Sequence, residues 1–315
     1  ETGLLMLSQN SFSHPTNAYA QHSIEVLKKA GYATQMFDKS NIKQHFPAIG
    51  TQHYRFAHYN KKAGYAESAK VIEKLVAYAR SLEIDIHEYQ TASEFVINHN
   101  RIQAVKTKEG NTFHCGHAIV TAGAHTTKLL PELSSYIKVT GHPVFWLRPE
   151  NPTIFSYPQL PVFMADISSS GWYGFPFISE YGVVKVAKHT DGLILDPDKD
   201  DRYVNEDEIN EMRDFLSECL PELQSAPLVY TRRCLYTDTL DGHFWIDNHP
   251  EIQGLTVGTG GSGHAFKMGP ILGEMLADTA EGKDHPFSSR YRWRHLTDQT
   301  IQLEESRYVL NRELK

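Results

Sequence analysis

Residues 232–282 of the chain read RRCLYTDTLDGHFWIDNHPEIQGLTVGTGGSGHAFKMGPILGEMLADTAEG. Within this stretch, residues 254–257 have the pattern of a buried strand, and the apolar residues after the glycines recur at helical spacing. The glycine loop between them, residues 258–263, satisfies the spacing G-x-G-x-x-G. The stretch therefore predicts a strand, a tight loop and a helix, which together form one layer of an α/β fold.

The glycine loop lacks the surroundings of a primary pyrophosphate-binding loop. No second βαβ strand follows it, and no acidic residue ends such a strand about 20 residues on. Five apolar or small positions fall on one face of the predicted helix, namely Ile271, Leu272, Met275, Leu276 and Thr279. The backbone N–H groups after Gly263 would then form a positive helix N-terminus that favours an anion.

Several blocks of the sequence resemble one family of flavoproteins. CLYTDTLDGHFWIDNHP and GTGGSGHAFKMGP are similar to the C-terminal signature of monomeric sarcosine oxidase, N-methyl-amino-acid oxidase and pipecolate oxidase, which are FAD-dependent amine oxidases of the DAO type. ETGLLML, AGYAESAK, IVTAGAH, WYGFP and VKVAKHT agree with the family in the same order. The resemblance covers nearly the whole chain and implies an α/β (α+β) fold, in which a glutathione-reductase-like FAD-binding domain is interleaved with an antiparallel-sheet substrate domain.

Composition limits the class of protein. The 315 residues suggest two domains, and 40% hydrophobic with 22% charged residues is ordinary for a soluble globular protein. A net charge of -7 argues against nucleic-acid binding, and no apolar run is long enough to span a membrane. Without a signal peptide, the protein is predicted to be cytoplasmic. Its three cysteines, Cys115, Cys219 and Cys234, have neither metal-site spacing nor an even count, so we predict no metal and no disulfide framework.

Hydrophobic periodicity outlines the elements between these blocks. It predicts strands at 3–7, 84–89, 94–98, 102–108, 112–121, 138–147 and 182–189, and helices at 17–30, 71–79 and 206–220. We expect residues 60–133 and 240–315 to form the FAD-binding domain, and residues 1–59 and 134–239 to form the substrate domain. The helix at 206–220 would place Cys219 in a core without a chemical role, and Cys115 is expected to be equally inert.

Two functional interpretations follow. In the family, the strand at 3–7 comes after a dinucleotide-binding βαβ unit of roughly 30 residues, which has no counterpart here. The first interpretation is a flavin-dependent oxidase of a secondary or N-alkyl amino acid, which uses O₂ and binds neither nucleic acid nor membrane. The alternative is a catalytically silent remnant, or a subunit that needs another chain to complete the FAD site. A monomer is expected if the fold is complete, and a complementing chain otherwise.

Cys234 is the candidate for covalent attachment of the cofactor. It lies between Arg232-Arg233 and Leu235-Tyr236, and neighbouring guanidinium groups favour the thiolate that attacks an electrophilic carbon. A strand cysteine beside solvated arginines is the plainer interpretation of the local sequence. The resemblance implies that Cys234 holds FAD as a thioether through the 8α-methyl group.

Other candidate residues also take their roles from the resemblance. Lys185, on an otherwise apolar strand, would assist the reduction of O₂, and His189 would face the same site by alternation. Snorkelling of Lys185 and a structural role for His189 are the alternatives. Small residues at Gly123 and Ala124 would let the backbone approach the cofactor, or would serve tight packing.

The glycine loop and the segment WYGFP complete the predicted site. The resemblance places the loop near the flavin edge that becomes anionic on reduction, with Gly260, Gly261, Ser262, Gly263 and His264 as contacts. Lys267, which opposes the helix dipole locally, would bind the substrate carboxylate. Trp172 and Tyr173 would form aromatic walls beside a cationic amine, with ordinary core packing as the alternative.

Overall fold

The computed structural model describes residues 1–297 and Arg307, and these form fifteen strands and eight α-helices. The strands are β1 (Leu4–Ser8), β2 (Thr34–Asp38), β3 (Phe56–Asn60), β4 (Ala92–Asn98), β5 (Arg101–Thr107), β6 (Thr112–His114), β7 (Ala118–Val120), β8 (Ile137–Leu147), β9 (Val162–Ala165), β10 (Trp172–Ile178), β11 (Val183–Lys188), β12 (Leu193–Ile194), β13 (Leu228–Thr239), β14 (Trp245–Asn248) and β15 (Leu255–Thr259). The helices are α1 (Ala18–Lys29), α2 (Ile42–His45), α3 (Ser68–Ser81), α4 (Thr126–Leu129), α5 (Ile167–Ser170), α6 (Glu206–Cys219), α7 (Ala265–Ala280) and α8 (Ser288–Tyr291).

Nine strands form one large sheet in the order β12-β8-β11-β10-β9-β1-β3-β2, with β13 paired along β8. All neighbours are antiparallel except β1 and β9. The long strand β8 is buried along almost its whole length, because it pairs with β13 throughout and with β12 and β11 in turn. Mixed and antiparallel pairing of this kind agrees with the predicted fold class.

The largest hydrophobic core lies on one face of this sheet, beneath α6. Asn205 caps α6 in a capping box with Glu208, and the helix then presents Met212, Phe215, Leu216 and Cys219 to the core. Trp172 of β10 stacks on Phe215 with ring centroids 4.8 Å apart. Cys219 is fully buried, which confirms that it belongs to the core.

Two small sheets lie apart from the large one. In one, β15 pairs with β14 on one side and runs parallel to β7 on the other; in the second, β4, β5 and β6 form the predicted meander. The single predicted strand at 112–121 is wrong, because the chain leaves the meander after β6 and enters the other sheet as β7. The break falls at 115–117, where a bend separates the two strands.

The predicted strand at 84–89 is also wrong. Its residues form irregular structure and turns, with Ile84 and Tyr89 exposed. An alternating pattern forms a strand only beside a partner that completes its hydrogen bonds, and no described strand pairs with this segment. The helix expected around 71–79 is present as α3, yet none of its residues is buried.

The sheets divide the sequence in an interleaved way. The large sheet takes its strands from residues 4–60 and 137–239, and the two small sheets take theirs from 92–120 and 245–259. A separate hydrophobic core surrounds Trp245 beside β7 and β15. Among the described helices, none has the length and apolar character needed to cross a membrane.

Candidate functional site

One face of the large sheet, opposite α6, gathers most of the predicted reactive side chains. Cys234 lies directly across from His142, and Lys185 lies across from Trp146 on β8. Tyr173 is opposite Ala187, two residues from Lys185. Residues that are directly opposite, or two apart on one strand, share a face of a sheet. We call the set Tyr173, Lys185, His189, His142, Cys234 and Tyr236 the reactive face.

Tyr236 lies at the centre of the reactive face. Its ring stacks on His142 with centroids 3.8 Å apart, and His189 lies 6.0 Å away. Its phenol lies close enough to that of Tyr173 for each to influence the pKa of the other. Burial raises the pKa of both tyrosines, so both phenols stay protonated near neutral pH.

Lys185 is a partly buried cation between aromatic rings. Its Nζ lies 4.9 Å from the ring centroid of Phe175 and 5.4 Å from that of Trp146. Burial lowers the pKa of Lys185; Cys234 opposes this shift and Arg232 adds to it. The two rings stabilise the ammonium group in a place where solvent does so only in part.

Only one of the two arginines that precede Cys234 in the sequence lies beside its thiol in the structure. Arg233 is buried on the opposite face of β13, where it donates hydrogen bonds to Glu208 at 2.6 and 2.8 Å and to the carbonyl oxygen of Tyr203. Strand alternation imposes this separation, because neighbouring residues point to opposite faces. Only Arg232 shares the face of the thiol, and it is exposed.

The glycine loop packs directly against the reactive face. Gly260 and Gly263 have φ angles of +72° and +80°, and a Cβ at Gly263 would lie 2.4 Å from the Tyr236 ring. The N–H of Ser262 donates to the carbonyl oxygen of Thr237 on β13, at 3.0 Å. Helix α7 begins immediately afterwards, so its N-terminus points towards the region beside Tyr236.

A cleft of about 600 Å³ opens between α7, the glycine loop and the ends of β7 and β15. It is lined chiefly by glycine and apolar residues, including Gly123, Gly260, Gly261, Gly263, Ala265, Phe266 and Leu272. Gly269 and Gly273 of α7 also line it, and a Cβ at either would meet nothing within 4 Å. The cleft therefore has a long smooth wall that side chains would otherwise fill.

The remaining predicted residues lie around the cleft. His264 precedes α7, with Nδ1 3.0 Å from the carbonyl oxygen of Ser262 and its ring 5.1 Å from that of Phe244. Lys267 is exposed on the first turn of α7. Ala124 lies next to Gly123 in a short helical turn, but it is not among the lining residues.

Trp172 does not reach the reactive face. The sequence placed Trp172 and Tyr173 together as cavity walls, but adjacent strand residues face opposite ways, and Trp172 is 4% exposed in the core beneath α6. The alternation of strand residues within WYGFP would have predicted this separation.

His142 was not predicted as a site residue, because only the pairing of β8 with β13 brings it to Cys234. Outside this site, the possible metal-ligand atoms of Glu274, Asp278 and His285 lie within 4.8 Å of one another. The prediction of no metal considered only the spacing of the cysteines and could not indicate this group.

The fold of the chain is shared with oxidases of known structure. The fructosyl peptide oxidase from E. terrenum superposes with a TM-score of 0.80 over 98% of this chain and 77% of its own, at 17% identity. Residues 1–279 match the FAD dependent oxidoreductase family DAO, and the chain belongs to that family.

Curated relatives include sarcosine oxidases. The monomeric sarcosine oxidase of Streptomyces avermitilis is 29% identical over 78% of this chain and 64% of its own length. The human peroxisomal sarcosine oxidase is 26% identical over 88% of this chain and 70% of its own. The chain thus spans about two thirds of the length of these relatives.

The cleft is compatible with the FAD that the family implies. Its open glycine wall accommodates an extended, largely flat group, and its apolar lining suits a ring system. The N-terminus of the sixteen-residue helix α7 favours the part of such a group that carries negative charge. Thr121 and Gly123, which follow β7, also line the cleft.

Proposed function

We propose that the protein oxidises the C–N bond of a secondary or N-alkyl amino acid, with O₂ as the final oxidant and an imine and hydrogen peroxide as products. One observation carries this proposal: Lys185, Cys234 and the Tyr173–Tyr236 pair share one face beside the glycine loop. Membership of the DAO family supports the redox class. The names of the relatives support the substrate class.

When bound, FAD supplies the acceptor for the hydride and the route for two electrons to O₂. Residues 260–263, His264, Lys267 and Gly123 would hold it through backbone and side-chain contacts, with the small residue Ala124 next to Gly123 outside the lining. Cys234 would hold it covalently through its Sγ atom. The N-terminus of α7 would stabilise negative charge at the adjoining edge of the bound group.

The substrate would lie between the loop and the reactive face. Lys267 would bind its carboxylate, and the Tyr173–Tyr236 pair would form a wall beside the amine, with His189 next to Tyr236. Trp172 has no part in this arrangement. Lys185 would provide a fixed cation that stabilises the negative charge developing on O₂. Its position is partly desolvated, which strengthens this electrostatic interaction.

The division into domains belongs to the same proposal. Residues 60–133 and 240–315 would bind FAD, and residues 1–59 and 134–239 would close over the substrate. A monomeric state and a cytoplasmic location remain predictions. A silent remnant, or a subunit completed by another chain, is the competing proposal.

A half-reaction experiment on the full-length protein tests the activity. Sarcosine, pipecolate and a fructosyl amino acid are mixed with the protein without O₂, and bleaching of the flavin absorbance is followed; O₂ is then added, and reoxidation and peroxide are measured. Lys185→Met should slow reoxidation by on the order of 10²-fold and reduction much less. Exposed Lys108→Met is the control. Absence of bleaching with every amine would favour the silent protein, and equal slowing of both steps would remove Lys185 from its role.

A further inference from the structure

A chain of buried polar residues runs from the glycine loop to the reactive face. Arg307 binds both oxygens of Asp238 at 2.9 Å, and its Nη2 also donates to the carbonyl oxygen of Ser262 at 3.0 Å. The hydroxyl of Thr140 contacts Asp238 on one side and Nε2 of His142, at 3.0 Å, on the other. Four residues contribute side chains to this hydrogen-bonded series, and all four are buried: Arg307, Asp238, Thr140 and His142.

The hydrogen bonds among His142, Thr140 and Asp238 can run in only one direction. The carboxylate of Asp238, paired with Arg307, only accepts hydrogen bonds, so the Thr140 hydroxyl donates its one proton to Asp238. The Thr140 oxygen must then accept from His142, which places a proton on Nε2. His142 is therefore the neutral Nε2–H tautomer, and its Nδ1 carries a lone pair.

That lone pair is an exception among buried polar atoms. His142 is 1% exposed, and its Nδ1 has no hydrogen-bond partner among residues 1–297 and Arg307. Burial lowers the pKa of His142 to about 3, and the nearby groups of Arg307, His189 and Arg233 act in the same direction. An unpaired buried nitrogen is unfavourable, so packing alone would be better served by a phenylalanine or leucine at this position.

The His142 ring helps to fix the position of the Tyr236 ring, on which it stacks. Tyr236 is held between the His142 ring, 3.8 Å away, and Gly263, whose missing side chain leaves room for the phenol. We propose that His142 is a positioning residue: the Arg307–Asp238–Thr140 chain fixes its Nε2–H tautomer, and its ring fixes Tyr236 against the glycine loop and Tyr173. Substrate placement thus depends on a buried histidine that touches neither substrate nor cofactor. The effect on substrate rests on the proposed function; the tautomer and the stack do not.

Nitrogen NMR of the full-length protein, labelled at histidine, tests the tautomer. The ¹⁵N shifts of His142, assigned through His142→Phe, should be those of a neutral Nε2–H ring. Asp238→Asn should reverse the tautomer, because its amide would donate to Thr140, and Thr140 would then donate to Nε2. Thr140→Ser should leave the wild-type pattern and Thr140→Val should abolish its hydrogen-bond shift. A wild-type Nδ1–H ring would overturn the proposal, as would identical spectra for Thr140→Ser and Thr140→Val.

A pair of ring variants tests the positioning of Tyr236. His142→Phe keeps a stacked ring and His142→Leu removes it. The ring-current shift of the Tyr236 proton resonances should survive in the first variant and disappear in the second. With an active amine, KM should rise about three- to ten-fold in His142→Leu, the range expected for one aromatic pair, and change less than about two-fold in His142→Phe. Equal shifts and equal KM in the two variants would overturn the proposal. If no amine is oxidised, the proposed function fails while the NMR results still decide this one.

Discussion

At the scale of single residues, the three cysteines of the chain have three different surroundings. Cys219 is enclosed in the core beneath α6, and burial raises the pKa of its thiol well above the ordinary value. Cys115 lies in the irregular segment after β6 and is partly exposed. Cys234 alone is partly accessible beside a cation, since it shares the reactive face with Lys185. Access and electrostatics favour covalent chemistry at this thiol over the other two.

Removing the Cys234 thiol should release the cofactor. In the full-length protein, Cys234→Ala is expected to leave flavin in the supernatant after acid precipitation, whereas wild type and Cys219→Ala should retain it in the pellet. Intact mass provides a second measurement, because only proteins with the Cys234 thiol should carry the added mass of FAD. Freely extractable flavin in the wild type would exclude the thioether.

His58 should make stability depend on pH. It is fully buried on β3, and burial lowers its pKa to about 4, with a further contribution from Lys28. Above the unfolded value of about 6.5 both states are neutral, so the stabilisation is complete. As the pH falls from about 6.5 to about 4, His58 becomes protonated in the unfolded chain but stays neutral in the folded protein. The folded state should lose roughly 3 kcal/mol across this window.

The measurement is urea unfolding of the full-length protein between pH 4 and pH 8. His58→Phe, which keeps a ring beside Phe12, should make the profile less steep, and exposed His22→Phe should leave it as in wild type. His142 adds a similar slope, because its pKa is also lowered. A profile that is unaltered in His58→Phe would mean that His58 is charged or solvated in the folded protein.

At the scale of elements, local sequence patterns predict α6, α3 and β8 to within one or a few residues, because capping and periodicity are carried by neighbouring residues. They fail where the outcome depends on a distant partner. Residues 84–89 alternate but have no described neighbouring strand, and the break between β6 and β7 follows from the pairing of β7 with β15. The same limit applies to the site. Resemblance supplied Cys234 and Lys185, whereas His142 and Arg307 reach it only through non-local pairing and contact.

The glycine loop offers a test at this scale. Gly263→Ala places a Cβ at a left-handed φ and against the Tyr236 ring, so the free energy of unfolding should fall by about 1–3 kcal/mol. Displacement of the loop should also lower the flavin content of the purified protein. Gly116→Ala is the matched control, since its Cβ would meet open space and its φ is ordinary. If both variants have the stability and the absorbance of wild type, the loop is not held by Tyr236.

At the scale of the whole molecule, apolar surface is distributed unevenly. The large sheet encloses an extensive core, whereas helix α3 leaves Ile72, Leu75 and Tyr78 more than half exposed. Ile84 and Ile119 are exposed as well, and β7 forms an open edge of its sheet in the described structure. Adjacent apolar side chains and an unpaired edge strand favour association with another surface.

The protein should therefore self-associate. The exposed stripe of α3 and the free edge of β7 are each able to pair with the same features on a second copy, which removes apolar surface from water. Light scattering after gel filtration should show species larger than a monomer. Replacing Ile72 and Leu75 by glutamate should shift the distribution towards monomer, while Lys74→Glu, on the same helix, should not. A wild-type product that is monomeric and melts cooperatively would contradict this expectation, because the exposed stripe and the free edge would then be stable in water.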